Sequence, residues 1–340
     1  MIAYLKRNLK TVCLFALLII IIVVTYCVNH AFVKPAVIRN ILNFMAPSGT
    51  LMVGMACLLM SGSIDLSTDA QALLSIVTFA YLLKYFPAMP WPVALLICIA
   101  IAVVIALIHS FLCNRLGFMP FIATIAMSSV YTGIATVWTQ SQTVNIMRES
   151  FTNLATTAFF GGRVPLLTII MFAIIFIYGF MLSNTRFGRS IYMCGGNRWA
   201  ARLSGLNPAR VSRILFINNS VIAVIGGLMW AAQKKMAAVT FTNSAPAMSG
   251  MTAAILGGVS FMGGGSTGLG GACVGLLLLN TFTQSLNYYP IFQGQRWTWL
   301  QTTLGGLILI IALIVDNYTS RRQIKLLLEE RKRAISGKTA

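Results

Sequence analysis

Charged side chains are scarce in this chain. Only 9% of its 340 residues are charged, whereas 58% are hydrophobic, and soluble globular proteins carry roughly 25% charged residues. A surface with so few charges does not keep a chain of this length dispersed in water. A soluble fold is therefore excluded, and lipid is expected to be the main solvent.

Acidic and histidine side chains are rarest of all. The chain has 6 Asp plus Glu and 2 His, and no acid stands between Glu149 and Asp316. His30 and His109 have no acidic or cysteine partner nearby in the sequence, and no nucleophile motif is present. Gly263-x-Gly265-x-x-Gly268 matches the dinucleotide fingerprint, but the acid expected about 20 residues later is missing. The sequence predicts no catalytic residue, and a membrane enzyme is unsupported.

Paired cysteines are missing as well. The seven cysteines are odd in number, form no Cys-x-x-Cys pair and lie mostly in apolar stretches. This pattern supports neither a disulfide framework nor a zinc site. No metal site is predicted on this chain.

Long apolar runs make up most of the sequence. The run at 11–28 follows three basic residues, exceeds the apolar part of a secretory signal and lacks a cleavage site, so it is predicted to be retained as the first membrane helix. The fold class is predicted to be an all-α integral membrane protein of about ten helices, each needing about 20 residues. Runs 44–60 and 246–262 are short and each ends in a Gly/Ser-rich break, so they are full spans or broken helices. The other predicted spans are 66–86, 91–114, 119–139, 164–183, 211–233, 267–288 and 298–315.

Basic residues outnumber acids, 25 Lys plus Arg against 6 Asp plus Glu, which is a net charge of +19. Such an excess first suggests nucleic acid. If the N-terminus is cytoplasmic and ten spans follow, however, 17 of the 25 fall on the cytoplasmic side. That bias predicts cytoplasmic N- and C-termini and contact with anionic lipid, not nucleic acid. The predicted parts are a cytoplasmic N-terminus (1–10), one transmembrane permease domain (11–315) and a basic cytoplasmic tail (316–340).

Two of the six acids stand in the polar break after run 44–60. Asp65 and Asp69 flank Ser67 in the stretch 61–69. One interpretation is helix capping, with Asp65 or Ser67 as N-cap and Asp69 in the first turn. The other places Asp65 and Ser67 on a substrate pathway, because an interrupted helix exposes backbone groups to a polar solute. The residues alone leave both open.

The segment 184–213 holds six arginines and no acid. Positive-inside topology by itself accounts for such a loop. The segment also contains a short stretch with helix-forming character between glycines, which suggests a small docking helix on the cytoplasmic face. The candidate docking residues are Gly196, Asn197, Arg198, Ala200, Ala201, Arg202, Ser204 and Gly205.

Polar residues also occur within two predicted spans. Asn280, Gln284 and Asn287 recur at helical spacing and are expected to share one face. Asn218 and Asn219 are polar residues within another predicted span. Such side chains either hydrogen-bond between helices or line a path for solute.

Glycines cluster between runs 246–262 and 267–288. They are interpreted as sites of close helix packing or of a helix break. The set is Gly257, Gly258, Gly263, Gly264, Gly265 and Gly268.

Three of these segments together resemble the ribose-type sugar permease family, the membrane subunits of bacterial ABC importers. The resemblance covers roughly residues 40–316. Its motifs are Gly62-x-Ile64-Asp65-Leu66-Ser67, Gly196-Asn197-x-x-Ala200-Ala201-x-x-Ser204-Gly205, and Ala253-Ala254-Ile255-Leu256-Gly257-Gly258-Val259-Ser260 with the glycine run to Gly271. Thr68-Asp69 replaces the Val-Gly pair common in the first motif, and Ser61 and Ser63 are also unusual there, which leaves the solute open.

The resemblance implies a multi-pass protein of the bacterial inner membrane that imports a ribose-type or related monosaccharide. It implies a second permease chain and an extracytoplasmic sugar-binding protein. It also implies cytoplasmic ATPase subunits that receive the segment around Gly196 to Gly205, in the cytoplasmic coupling loop 184–213. ATP and Mg would then be bound by the ATPase partner, with no cofactor on this chain. The competing hypothesis is an ion-coupled secondary transporter that uses Asp65 and Asp69 as coupling acids.

Overall fold

Helices dominate the computed structural model, which describes residues 9–261, 263, 268–289 and the positions 303–304, 306–308, 310–311 and 314. A short 3-10 helix, His30–Val33, joins the first two α-helices. In chain order the helices are α1 (Leu9–Val28), α2 (Pro35–Met60), α3 (Thr68–Tyr85), α4 (Trp91–Asn114), α5 (Pro120–Thr139), α6 (Glu149–Thr156), α7 (Leu166–Asn184), α8 (Arg186–Gly196), α9 (Arg198–Leu203), α10 (Pro208–Lys234), α11 (Phe241–Ser244), α12 (Pro246–Leu256) and α13 (Gly268–Leu286).

Strands are confined to two small antiparallel pairs in the described residues. They are β1 (Val144–Asn145), β2 (Ala158–Phe159), β3 (Val164–Pro165) and β4 (Met236–Ala237). β1 pairs with β4, and β2 pairs with β3. They join loops and form no layer of their own, so the predicted all-α membrane class is confirmed.

Six helices in the described part are long and apolar enough to cross a membrane, namely α2, α4, α5, α7, α10 and α13. The predicted run at 298–315 lies for the most part outside the described residues, as do residues 1–8 and the tail 316–340. A total of about ten spans, and the cytoplasmic position of both termini, therefore stay predictions.

The two short apolar runs, 44–60 and 246–262, form helices of different length in the structure. Run 44–60 is the second part of α2, a helix of 26 residues that begins at Pro35. In run 246–262, the helix formed by the described residues is the 11-residue α12. At 1.5 Å per residue, α12 is about 16 Å long, roughly half of the hydrocarbon core of a bilayer. α12 is therefore a broken helix, whereas α2 is long enough to span.

Proline defines where several helices begin. Pro35, Pro120, Pro208 and Pro246 each stand at the first position of a helix. A proline is favourable there because the first turn of a helix leaves its N–H groups unpaired and the proline ring already has a helical φ. The predicted bounds of most long helices agree with the structure to within three residues, but α2 begins at Pro35, nine residues before run 44–60.

The core consists of α2, α3 and α10, whose residues are mostly buried. α4, α5 and α7 surround it and expose large apolar side chains, among them Leu96, Val137 and Phe176, which are 63%, 79% and 74% exposed. In water such a surface would be very unfavourable, but acyl chains are as apolar as these residues. The arrangement is that of a bundle with a lipid-facing outer ring.

The loops divide between two ends of the bundle. At one end, the α2–α3 break contacts α9 through Ser63 and Arg198, and Arg213 contacts Ser110 at the end of α4. At the other end, Arg148 donates to the carbonyl oxygen of Pro87, and β1 pairs with β4. We call the first the α9 end and the second the opposite end. Ten alternating spans predict the loops after runs 44–60, 91–114 and 164–183 on one side of the membrane and those after 66–86, 119–139 and 211–233 on the other, and the two ends match this division.

Candidate functional site

A fully buried polar cluster is centred on Asp65, in the break between α2 and α3. The Asp65 cluster comprises Asp65, Ser67, Gln71, His109 and Asn219, each of which is at most 1% exposed. These residues come from the break, α3, α4 and α10. The cluster therefore joins three helices to a helix interruption.

Hydrogen-bond donors surround the Asp65 carboxylate. Oδ1 accepts the backbone N–H of Ser67 at 2.9 Å and the Ser67 hydroxyl. Oδ2 accepts the side-chain amides of Gln71 at 2.9 Å and Asn219 at 3.0 Å. A buried carboxylate is costly unless it is well paired, and these four donors supply the pairing.

His109 is the only basic side chain that the described residues place in an ion-pair contact with Asp65. Its Nδ1 lies 3.6 Å from Oδ2 of Asp65, and its Nε2 lies 3.0 Å from the hydroxyl of Tyr131. Nδ1 is buried and makes no hydrogen bond among the described residues, so its contact with Asp65 is electrostatic in character. Asp65 and His109 are 44 positions apart in the sequence, so their contact arises only through helix packing.

The Asp65 cluster extends along α3 and α10 by further hydrogen bonds. The Ser220 hydroxyl donates to Oε1 of Gln71 at 2.6 Å, and the Asn219 amide also donates to the Thr68 hydroxyl at 2.9 Å. Asn219 fits because α2 has glycine opposite it: a Cβ at Gly54 would lie 2.5 Å from Asn219 Oδ1. Ser67 stands at the N-cap of α3, but its side chain makes no capping bond there.

Asp69 lies in the first turn of α3, as the capping interpretation expects, yet its carboxylate serves a different helix. Oδ1 accepts the N–H of Ala247 at 2.9 Å and Oδ2 that of Met248 at 3.3 Å. Both N–H groups belong to the first turn of α12. Asp69 thus caps the broken helix from a neighbouring one, and this acid too is engaged in internal bonds.

The segment 184–213 contains two short helices, α8 and α9. The Asn197 side chain caps α9 by accepting the N–H groups of Trp199 at 2.9 Å and Ala200 at 3.0 Å. Gly205, with φ of +81°, ends the turn that follows. The short helix suggested by the sequence is therefore present, and its interaction with an ATPase remains a prediction.

The surface of α9 combines positive charge with apolar side chains. Arg198 and Arg202 are exposed, and Trp199 and Leu203 are 70% and 84% exposed. Ala200, Ser204 and Gly196 are also exposed, whereas Ala201 is buried. In the preceding helix, burial raises the pKa of the Cys194 thiol, so this side chain does not supply a thiolate at neutral pH.

The other polar residues singled out from the sequence make their hydrogen bonds outside the Asp65 cluster. Asn218 accepts a bond from the Tyr178 hydroxyl, and its own amide nitrogen is buried without a partner among the described residues. Asn280 donates to the Leu276 carbonyl of its own helix at 3.0 Å, and Asn287 donates to Gln284 at 3.3 Å. Because α13 ends at Leu286, Asn287 lies in the turn after it and does not extend a helical face.

The predicted packing glycines lie in several settings. A Cβ at Gly257 would lie 2.3 Å from the backbone of Gly271 in α13, so α12 and α13 approach closely there. Gly258, Gly263 and Gly268 have positive φ, which glycine adopts without strain. Gly264 and Gly265 lie outside the described residues.

No group of three or more His, Cys, Asp or Glu that would hold a metal ion occurs among the residues that the structure describes. The residues that sequence reasoning missed are Gln71, His109 and Tyr131. Their polar side chains in apolar runs were a usable signal, but nothing in the local pattern indicates which distant carboxylate they meet.

Comparison with known proteins identifies the class of the chain. A family profile described as the permease component of branched-chain amino acid transport systems matches residues 37–313. The chain belongs to this permease family. The match spans both helix breaks and the α8–α9 segment, and it makes the chain a multi-pass protein of the inner membrane.

Individual relatives of the permease are sugar import proteins. The ribose import permease protein RbsC of Bacillus subtilis is 27% identical over 89% of this chain and 91% of its own length. The L-arabinose ABC transporter permease protein AraH of Azospirillum brasilense is 28% identical over 87% of this chain and 84% of its own. The galactose/methyl galactoside import permease protein MglC of Haemophilus influenzae is 27% identical over 91% and 94%. No solved structure gives a significant match.

The resemblance to sugar ABC permeases seen in the three motifs is therefore confirmed. These matches favour the ATP-driven permease over the ion-coupled transporter. The geometry agrees, because the carboxylates of both proposed coupling acids, Asp65 and Asp69, already accept internal hydrogen bonds.

Proposed function

We propose that this permease is the membrane subunit of an ABC importer that carries a ribose-type monosaccharide into the cytoplasm. The observation that carries the proposal is that the ribose, arabinose and galactose relatives each align with it over more than four fifths of both chains. The sugars that these relatives are named for, ribose, arabinose and galactose, are uncharged monosaccharides that differ in carbon number and in the configuration of their hydroxyl groups. Their diversity supports the substrate class and leaves the particular sugar to experiment.

The proposed partners include a separate ATPase, because the sequence has no complete phosphate-binding loop. Gly337-Lys338-Thr339 ends like a phosphate loop, but Lys332 stands where its first glycine is required. ATP and Mg are accordingly assigned to separate ATPase subunits. A second permease chain completes the pathway, and an extracytoplasmic binding protein delivers the sugar.

The α9 surface is the proposed docking site for the ATPase. Trp and Arg are the residues that most often dominate binding energy at protein interfaces, and α9 exposes Trp199 beside Arg198 and Arg202. A complementary partner surface would be an apolar groove with an acidic rim. The proposal puts this end of the bundle in the cytoplasm.

Transport in proteoliposomes tests the function. The purified permease, its ATPase and its binding protein are reconstituted, and uptake of labelled ribose, arabinose and galactose is measured with and without ATP. ATP-dependent uptake of at least one sugar is expected. Uptake that continues without ATP but stops when the ion gradient is dissipated would instead establish the ion-coupled transporter.

Charge reversal tests the docking site. Arg198→Glu combined with Arg202→Glu is expected to weaken copurification with the ATPase by about tenfold or more, because like charges would face the acidic rim. The matched control is Lys234→Glu with Lys235→Glu, which makes the same change in net charge at the opposite end of the bundle. Equal retention of the ATPase by both double variants would contradict docking at α9.

A further inference from the structure

One side-chain bond ties α9 to the interior of the bundle. The Nη2 atom of Arg198 donates to the hydroxyl of Ser63 at 3.0 Å. Arg198 is otherwise exposed at the surface, whereas Ser63 is 1% exposed. The guanidinium thus reaches from the proposed docking surface into the α2–α3 break.

Three backbone segments meet beside that bond. A Cβ at Gly263 would lie 2.8 Å from the carbonyl oxygen of Gly195 and 3.0 Å from the Cα of Gly62. Gly195 belongs to the last turn of α8, Gly62 to the α2–α3 break, and Gly263 to the segment after α12. We call the set of Gly62, Ser63, Gly195, Arg198 and Gly263 the junction.

The junction leads directly to the Asp65 cluster. Ser63 precedes Asp65 by two residues, and the Asp65 carboxylate is bonded to Gln71 in α3 and Asn219 in α10. A force on Ser63 therefore acts on a short segment whose Ser63 and Asp65 side chains are buried and whose Asp65 carboxylate is bonded to two central helices. Well-packed cores of this kind respond to small displacements by switching arrangement rather than by bending gradually.

We propose that the Arg198–Ser63 bond is the positioning contact through which movement of α9 is transmitted to the Asp65 cluster during transport. The inference rests on the proposed function, in which an ATPase moves α9. It assigns Arg198 a second role beyond docking and assigns Ser63 a role that its own position in the sequence does not indicate. A contact of this kind has to be established by energetic coupling, since proximity alone does not prove transmission.

The number of sugar molecules imported per ATP hydrolysed measures the transmission. Ser63→Ala removes the acceptor for Arg198 and leaves the α9 surface intact. Its matched control is Ser61→Ala, in the same break, because the Ser61 hydroxyl donates to the Leu58 carbonyl of the preceding helix and not to α9. In the reconstituted transporter, Ser63→Ala is expected to bind the ATPase normally and to lower the sugar-to-ATP ratio by about tenfold, the range of one hydrogen bond to a charged group.

A double-mutant cycle completes the test. Arg198→Gln breaks the same bond from the exposed side, so it also serves if Ser63→Ala does not assemble. Because Arg198 also belongs to the proposed docking surface, copurification of the ATPase is measured in parallel, and a lower sugar-to-ATP ratio at normal copurification is the expected sign of lost transmission. The double variant is expected to have a sugar-to-ATP ratio no lower than that of Ser63→Ala alone, since the bond is lost only once. Equal ratios for Ser63→Ala and Ser61→Ala, or fully multiplicative effects of Ser63→Ala and Arg198→Gln, would overturn the inference. Failure of the native chain to import any sugar with ATP would instead refute the proposed function.

Discussion

The Asp65 carboxylate is surrounded by hydrogen-bond donors, so its place in the cluster requires a side chain that accepts on both oxygens. Ser67, Gln71 and Asn219 all direct N–H or O–H groups at the carboxylate. Asp69 differs, because it accepts only two backbone N–H groups at the start of α12. Two aspartates four positions apart therefore have distinct structural tasks, the first holding together an interhelical cluster and the second capping a helix.

The same substitution at both aspartates is expected to have unequal effects. Asp65→Asn places an amide N–H₂ against the amides of Gln71 and Asn219, and it removes the charge opposite His109. We expect a loss of at least about 1–3 kcal/mol in the free energy of unfolding, the range for leaving buried donors without an acceptor. Asp69→Asn keeps an oxygen for the Ala247 N–H and loses only the longer, 3.3 Å bond from Met248. Because Asn and Asp are about equally good caps, its loss should stay at about 1 kcal/mol or less.

Thermal unfolding of the purified permease in detergent compares the two variants. The melting temperature of Asp65→Asn should fall well below that of Asp69→Asn. Similar melting temperatures would show that the Asp65 carboxylate is not the essential acceptor of its cluster.

At the scale of elements, α12 and α13 pack with their backbones in close contact. A Cβ at Gly271 would lie 2.0 Å from the Gly257 carbonyl oxygen, and one at Gly275 would lie 2.2 Å from that of Ala253. Small residues allow this approach, and it supplies the van der Waals contact that drives helix association where water is absent. The short helix α12 is thus held by α13 at one end and capped by Asp69 at the other.

Adjacent glycines of α13 test this packing. Gly271→Ala is expected to destabilise the permease by about 1–3 kcal/mol, because the added methyl group overpacks the contact with α12. Gly270 is exposed, and a Cβ there would meet no described atom within 4 Å, so Gly270→Ala should be neutral or stabilise by up to about 1 kcal/mol. Melting temperatures in detergent distinguish them, and equal shifts would argue against close packing at Gly271.

At the scale of the whole molecule, the two ends of the bundle expose different residues. Trp199 is 70% exposed at the α9 end, and Met147 is 84% exposed near β1 at the opposite end. The bias of 17 of 25 basic residues toward one predicted side favours a cytoplasmic α9 end. The proposed docking of an ATPase requires the same orientation.

Labelling in intact cells tests this orientation. Met147→Cys should react with a membrane-impermeant maleimide added outside, whereas Trp199→Cys should react only after the cells are opened. The unsubstituted chain measures the background from its seven cysteines. The reverse labelling pattern would place α9 outside and remove the basis for ATPase docking there.

Local pattern was enough to predict much of this permease. Apolar runs indicated most long helices, because a chain in lipid must satisfy its backbone groups within each helix. Gly and Ser clusters indicated both breaks, and the α9 helix follows the order Asn197 to Gly205. The three motifs in sequence order were also sufficient to predict the family that the comparisons confirm.

The sequence by itself therefore determined that lipid surrounds the protein, where the helices and their interruptions lie, and which family the chain belongs to. Only the tertiary structure decided which polar groups meet: Asp65 with Asn219, 154 positions later, and Ser63 with Arg198, 135 positions later. The physical reason is that the two kinds of interaction act over different distances along the chain. Hydropathy, capping and turn preferences act over a few residues, whereas the partner of a buried polar group depends on how separate helices pack, and that information is spread over the whole chain.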